Sequence, residues 1–178
     1  MLARVPEYVW DGETLPVPIE DVVDSCYGLH VRLVDDLSTA PGAPAVDGTL
    51  SGLLLTGRGE IWVKREEALL WPGRRRFTIG HELGHWELHR TGQQSLFCRT
   101  ATIDPDEAAA QPAPPPPVSP TEEEANIFAA ALLMPAEVFV VEFARLNGEI
   151  EALCDRFNCS MKAVRHRIRA LIPGQEPG

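Results

Sequence analysis

The segment HELGHWELH, residues 81–89, constrains this chain more than any other feature. Its first two histidines are four residues apart, and residues at that spacing share one face of an α-helix. The imidazoles of His81 and His85 can therefore converge on one metal ion. Glu82 lies about 100° round the helix and cannot join them, which leaves its carboxylate to act as a general base toward a water at the metal. This H-E-x-x-H pattern is typical of catalytic zinc sites.

The third ligand has to come from elsewhere in the chain, because a catalytic zinc usually takes three protein ligands and keeps its fourth position for water. A run of three glutamates, residues 122–124, begins the next predicted helix. Glu122 is in phase with a small, apolar face that includes Ala125 and Ala129 and should turn inward. The helical phase therefore favours Glu122 as the third ligand.

Glu124 is the alternative ligand, and capping signals do not separate the two glutamates. Thr121 with Glu124 fits a capping box, which would hold that carboxylate at the helix N-terminus. Ser119 with Glu122 fits a competing capping register. On these grounds the choice between Glu122 and Glu124 stays open.

Two further residues near the motif are weaker candidates. His89 lies one helical turn, about 5.4 Å, beyond His85, too far along the axis to share an ion with both His81 and His85. We expect it to line the cleft, cap the helix or hydrogen-bond a metal ligand without touching the metal, and a simple packing role is the alternative. Cys98 follows the motif closely enough to lie near the cleft, although a carboxylate is the stronger ligand candidate.

The sequence has no C-x-x-C pair and no secretion signal, so its four cysteines should be reduced thiols, mostly buried.

The chain length and its hydrophobic pattern predict one α+β unit. A chain of 178 residues that is 44% hydrophobic can bury a single core. Residues 1–103 should hold an N-terminal helix, a small antiparallel sheet and the HExxH helix, which we expect from about Arg74 to Thr91. Residues 104–120 contain seven prolines and should form an extended, mobile loop. Residues 121–172 should be helical, with the third metal ligand and a helix-turn-helix-like pair.

Two glycines of the HExxH helix, Gly80 and Gly84, share one face. Each should cost about 1 kcal/mol relative to alanine inside a helix. Close approach of a neighbouring helix or strand would account for both.

Charge and hydropathy exclude several classes of partner. The formal net charge of −10 argues against general binding to nucleic acid or to an anionic membrane. No apolar run approaches the roughly 20 residues that span a bilayer, and the first residues do not resemble a secretion signal. We expect a soluble, cytoplasmic protein with no membrane partner.

The residues around the motif carry a family resemblance. RRRFTIGHELGHWELH followed by EEEANIFAAALLMP resembles the ImmA/IrrE family of zinc metallopeptidases. The resemblance extends to PVPIEDVV and GEIWVKREE upstream and to the C-terminal helices, so it covers most of the chain. It implies a zincin-like domain in which His81, His85 and Glu122 bind Zn²⁺ and Glu82 is the general base. Asn126 would contact a metal ligand without touching the metal itself. Gly80 replaces the alanine that is commoner in the family.

The resemblance also implies a substrate class. The chain is similar to regulators that cleave a helix-turn-helix repressor and thereby derepress genes. A zinc-dependent endopeptidase with such a repressor as its protein substrate is therefore the expected function.

A DNA-binding regulator is the main alternative. The segment EIEALCDRFNCSMKAVRHRIRAL predicts two short helices around residues 158–160, a pattern seen in helix-turn-helix proteins. The second helix carries four basic residues, Lys162, Arg165, Arg167 and Arg169. Such pairs also serve as packing elements, and the acidic remainder of the chain favours packing over direct DNA contact. A repressor-sequestering protein without turnover is a third interpretation, against which the intact His81, Glu82 and His85 set argues.

Overall fold

The computed structural model describes residues 4–41, 43, 50–90, 96–100 and 119–174, with side chains outside 96–100. These residues form seven α-helices, four β-strands and one 3₁₀ turn. The helices are α1 Ile19–Tyr27, α2 Arg65–Leu70, α3 Pro72–Leu88, α4 Pro120–Leu133, α5 Ala136–Arg145, α6 Ile150–Phe157 and α7 Met161–Leu171. The strands are β1 His30–Val34, β2 Leu50–Leu55, β3 Glu60–Lys64 and β4 Leu96–Thr100, and the 3₁₀ turn is Leu37–Thr39.

The N-terminal elements follow the predicted pattern. Helix α1 buries Ile19, Val22 and Val23 on one face. It ends at Gly28, whose φ of 61° lies in the left-handed region that glycine adopts without a Cβ penalty. Strand β1 follows at once, and β2 and β3 form an antiparallel hairpin. The expected N-terminal helix and the antiparallel pairing of β2 with β3 are thus confirmed.

The sheet has the order β1-β3-β2-β4 and is mixed. Strand β2 is antiparallel to β3 and β4, whereas β1 runs parallel to β3. The α+β class is confirmed, but the expectation of a purely antiparallel sheet is wrong for β1. The connection between β1 and β2 is long enough to put β2 two positions away from β1 in the sheet. The hairpin then places β3 between them, so β3 runs parallel to β1.

Two elements were not anticipated from the sequence. Within GEIWVKREE, strand β3 ends at Lys64 and α2 begins at Arg65. Glu66 and Glu67 lie in the first turn of α2, where the helix dipole favours acidic residues. Strand β4 pairs with the outer side of β2. The mixed sheet therefore has one more strand than the hydrophobic pattern indicated.

The two faces of the sheet bury different clusters. Alternation along the strands directs one set of side chains to the helices, namely Leu54, Ile61 and Val63. On the opposite face of the sheet, Leu37 of the 3₁₀ turn packs in one cluster with Leu53, Leu55 and Trp62. The larger core, and with it the candidate site, therefore lies between the sheet and the helices.

Helices α3 and α4 approach closely along the face that carries the two glycines. Gly80 lies against Ala129, and Gly84 lies against Ala125, so the two helices run in opposite directions. A Cβ on Gly84 would be 3.1 Å from Ala125 Cα and 3.2 Å from its carbonyl oxygen. The sequence-based expectation of a close neighbour at both glycines is confirmed.

Helix bounds differ modestly from the predicted ones. Helix α3 starts at Pro72, since proline suits a first helical position, and it ends at Leu88. Pro120 is the first residue of α4, so the predicted loop loses its last residue to a helix. Residues 104–118 of that loop lie outside the described residues. The helix-turn-helix-like pair is present as α6 and α7, joined through Asn158 in the left-handed region.

In the described part of the chain, no single helix has the length and apolar character needed to cross a membrane. One bent pair, α4 with α5, reaches that length and composition only when its two helices are taken together across a 60° bend.

The glycine contacts predict opposite effects for two alanine substitutions. In Gly80→Ala the new Cβ would lie 3.4 Å from Ala129 Cβ, an ordinary contact, so we expect the free energy of unfolding to stay level or rise by up to about 1 kcal/mol. In Gly84→Ala the Cβ meets backbone atoms of α4, and we expect a loss of about 1–3 kcal/mol. Urea denaturation of the metal-free protein measures both. Equal effects of the two substitutions would contradict the packing argument.

Candidate metal centre

Three donor groups from α3 and α4 converge. His81 Nε2 and His85 Nε2 are 3.0 Å apart; Glu122 Oε2 lies 3.1 Å from the first nitrogen, and Glu122 Oε1 lies 3.1 Å from the second. In a tetrahedral zinc site with metal–nitrogen bonds of 2.0–2.1 Å, ligand atoms are about 3.3 Å apart. The spacing of the three donors is therefore close to that of a zinc ligand set, and these residues form a group that could hold a metal ion.

The three donor groups differ in burial. Both histidine side chains are buried, whereas the Glu122 side chain is 32% exposed. Among the described residues, the imidazoles are thus held by the core, and the carboxylate lies toward the surface.

The outer nitrogen of each histidine has a hydrogen-bond partner. His81 Nδ1 is 3.0 Å from Asn126 Oδ1, and His85 Nδ1 is 3.0 Å from His89 Nδ1. Asn126 Oδ1 accepts a hydrogen bond from the Nδ1–H of His81, which leaves the lone pair of a neutral imidazole on Nε2. Metal-ligating histidines generally have such an outer partner. The Nε2 atoms therefore have the orientation that metal binding requires.

The charge of the group also fits a cation. Burial alone raises the pKa of Glu122, but hydrogen bonds and charge attraction from His81 and His85 outweigh it and lower the pKa to about 2. The carboxylate is therefore ionised at neutral pH. That lowering needs positive charge or N–H donors beside the carboxylate. A bound metal ion, which requires both imidazoles to be neutral, would supply the positive charge in their place.

Glu82 follows His81 on α3, and its carboxylate faces strand β2. Its side chain is buried, and the nearby backbone of β2 has no side chain at Gly52. A Cβ at Gly52 would overlap Thr78 Cγ2 and lie 3.2 Å from Glu82 Oε1. Gly52 thus allows the strand to approach the carboxylate. Sequence reasoning missed it, although an isolated glycine in a strand often marks such an approach.

Glu124 lies outside the donor group. Ser119 caps α4 by accepting a hydrogen bond from the Glu122 amide at 3.3 Å, so the competing Thr121–Glu124 capping box is wrong. The Glu124 carboxylate instead lies 2.8 Å from His89 Nε2. The structure therefore brings Glu122, rather than Glu124, to the two histidines.

The cysteines behave as reduced thiols where they are described. Cys26, Cys154 and Cys159 are unpaired thiols, and burial raises the pKa of Cys159 to about 12. Cys26 and Cys154 are only partly buried, so the expectation of mostly buried cysteines is wrong for the three whose side chains are described. Cys98 lies on β4 opposite Leu53, but its side chain is outside the described residues, so its prediction as a ligand stays a prediction.

The family model of the IrrE N-terminal-like domain, Peptidase M78, matches residues 57–169. That stretch is more than half of the chain and contains His81, Glu82, His85 and Glu122. The chain belongs to this family. The M78 match confirms the sequence resemblance and the zincin-like fold, and it identifies the chain as a member of a metallopeptidase family.

A solved structure shares the fold of this M78 domain. The match to a Mycobacterium tuberculosis transcriptional regulator has a TM-score of 0.55 and 20% sequence identity. It covers 92% of this chain and 43% of the regulator, so the chain spans less than half the length of that protein. No curated protein matches the chain.

The donor geometry predicts which glutamate controls metal retention. We expect the wild type to retain about one equivalent of zinc per chain after dialysis, since two imidazoles and one carboxylate converge. Glu122→Ala should lose the ion, whereas Glu123→Ala, on the same helical turn but exposed, should keep it. Elemental analysis of the dialysed proteins measures this. If Glu124→Ala loses zinc while Glu122→Ala retains it, the assignment of Glu122 is wrong.

Proposed function

We propose that this chain is a zinc-dependent endopeptidase. The observation that carries the proposal is the convergence of His81, His85 and Glu122, with nitrogen–oxygen distances of 3.1 Å; the helix of the two histidines also carries the buried Glu82. Two nitrogens and one carboxylate oxygen are a frequent ligand set of catalytic zinc. Membership in a metallopeptidase family supports the same chemistry.

In this mechanism His81, His85 and Glu122 hold the ion and Glu82 moves protons. When bound, zinc supplies Lewis acidity, which polarises a peptide carbonyl and lowers the pKa of water to about 7. Glu82 takes a proton as the water oxygen bonds to the scissile carbonyl carbon. It then passes that proton to the leaving nitrogen as the carbon–nitrogen bond breaks. Helix α3 fixes Glu82 next to the ligand His81, which keeps the base in place for both transfers.

The substrate that we propose is a helix-turn-helix transcriptional repressor, cleaved in the cytoplasm to derepress its genes. The sequence resemblance to regulators with this activity supports it, as does the fold shared with a transcriptional regulator. Charge is a further argument. DNA-binding domains carry basic surfaces, and a chain with a net charge of −10 attracts them through complementary charge.

Direct DNA binding by α7 is the alternative function, and one contact weakens it. Arg167 is only 9% exposed, and its Nε donates to Met134 O at 2.8 Å. One of the four basic residues of the predicted recognition helix is therefore used to pack α7 against the end of α4. Val164 and Ile168 on the same helix are buried as well.

The role of Glu82 can be tested with a substitution that keeps its shape. Glu82→Gln should leave zinc content and folding near those of the wild type. It should slow peptide cleavage by about 10²–10⁴-fold, the usual contribution of general acid–base catalysis. Co-expression with the helix-turn-helix protein encoded nearest to this gene, followed by fragment analysis, measures cleavage. Equal cleavage by both proteins would reject Glu82 as the base. A zinc-loaded wild type that cleaves no neighbouring repressor would reject the proposed substrate.

The packing role of α7 predicts weak DNA binding. Duplexes from the chromosomal region around the gene should bind in the micromolar range or more weakly at physiological salt, and without sequence preference. Fluorescence anisotropy with the wild type and an Arg165→Ala/Arg169→Ala variant measures this. Nanomolar, sequence-specific binding that the double substitution removes would favour the DNA-binding alternative.

A further inference from the structure

The last histidine of HELGHWELH connects the donor group to the surface. His89 Nδ1 is 3.0 Å from His85 Nδ1, and His89 Nε2 is 2.8 Å from Glu124 Oε2. We propose that His89 and Glu124 are positioning residues that hold His85 in its metal-binding tautomer. We call this chain of contacts, from His85 through His89 to Glu124, the His89 relay. The inference rests on the proposed metal site and names what controls its affinity.

Proton counting gives the relay its direction. An ionised carboxylate only accepts hydrogen bonds, so His89 Nε2 donates to Glu124. A neutral His89 then has its lone pair on Nδ1, which accepts the Nδ1 proton of His85. His85 Nε2 is left with a lone pair facing Glu122. The opposite direction would place a proton on His85 Nε2 and exclude a metal ion from that nitrogen.

The two histidine ligands have different outer partners. His81 contacts the neutral amide of Asn126, whereas the contacts of His85 end at a carboxylate. A carboxylate behind a histidine increases the electron donation of that ring to a metal. The relay therefore makes His85 the stronger nitrogen donor.

Helix geometry explains why this role falls to His89. The residue caps α3, and its amide still donates to His85 O at 3.0 Å, so the two rings share one face. Its side chain is 11% exposed, against 61% for Glu124. The relay thus joins the end of α3 to the first turn of α4, the turn that also presents Glu122.

Paired variants separate the hydrogen-bonding role of His89 from simple packing. His89→Leu removes the acceptor, and we expect zinc affinity to fall about 10–100-fold. His89→Asn places Oδ1 near the position of the ring Nδ1 and should restore most of that loss. Competition with a chromophoric chelator, with Zn²⁺ as the probe, measures affinity. Thermal unfolding of the metal-free proteins checks that each variant folds.

A second pair tests the direction of the relay. Glu124→Lys replaces an acceptor by a donor and would reverse the hydrogen bonds. Glu123→Lys makes the same change of charge on the neighbouring exposed residue. We expect Glu124→Lys to weaken zinc binding at least about tenfold more than Glu123→Lys does. The visible absorption bands of the Co²⁺-loaded protein should shift for Glu124→Lys and stay unchanged for Glu123→Lys.

Three results would overturn the relay. The first is wild-type zinc affinity, within twofold, in both His89→Leu and Glu124→Lys. The second is equal weakening by His89→Asn and His89→Leu, and the third is equal weakening by the two lysine variants. A wild type that takes up no zinc would reject the relay together with the proposed enzyme. The expected affinity pattern without repressor cleavage would support the relay and reject only the substrate.

Discussion

The close approach of α3 and α4 is the constraint on which the candidate site depends. A single carboxylate on α4 has to reach two imidazoles on α3, and it can do so only if the helix backbones nearly touch. Gly84 permits this, since a Cβ there would lie 3.1 Å from Ala125 Cα, whereas Gly80 leaves room for a methyl group against Ala129. Their cost in helix propensity, about 1 kcal/mol each, is offset by the burial of the paired helices. The donor distances of 3.0–3.1 Å follow from this contact.

Close approach also occurs on a second face of α3. There the helix packs on β2, and a Cβ at Gly52 would overlap Thr78 and lie 3.2 Å from Glu82 Oε1. Helix α3 is thus packed between Gly52 of strand β2 and helix α4, which contacts α3 at Gly80 and Gly84. One helix can then present ligating histidines toward α4 and a carboxylate toward the sheet. The rigidity of α3 serves both groups, because metal ligands and base must keep a fixed relative position.

Hydrogen bonds beyond the three donors complete the site. Asn126 and His89 orient the two imidazoles, and Glu122 and Glu124 share the first turn of α4 while contacting different histidines. Helices α6 and α7 lie farther along the chain, and Arg167 binds them to the end of α4 through Met134 O. The C-terminal pair therefore supports the helix that carries Glu122, consistent with packing rather than DNA recognition.

The sequence by itself determined the local elements and the two histidines, since helical spacing alone puts His81 and His85 on one face. It also indicated Glu122 by its phase, and it indicated a close neighbour at both glycines. Only the tertiary structure decided the parallel pairing of β1, the added strand β4, the role of Gly52 and the contact of Glu124 with His89. Each of these depends on contacts between residues distant in the chain, such as His89 and Glu124. Sequence periodicity shows which face of an element a residue lies on, but it does not show which other element packs against that face.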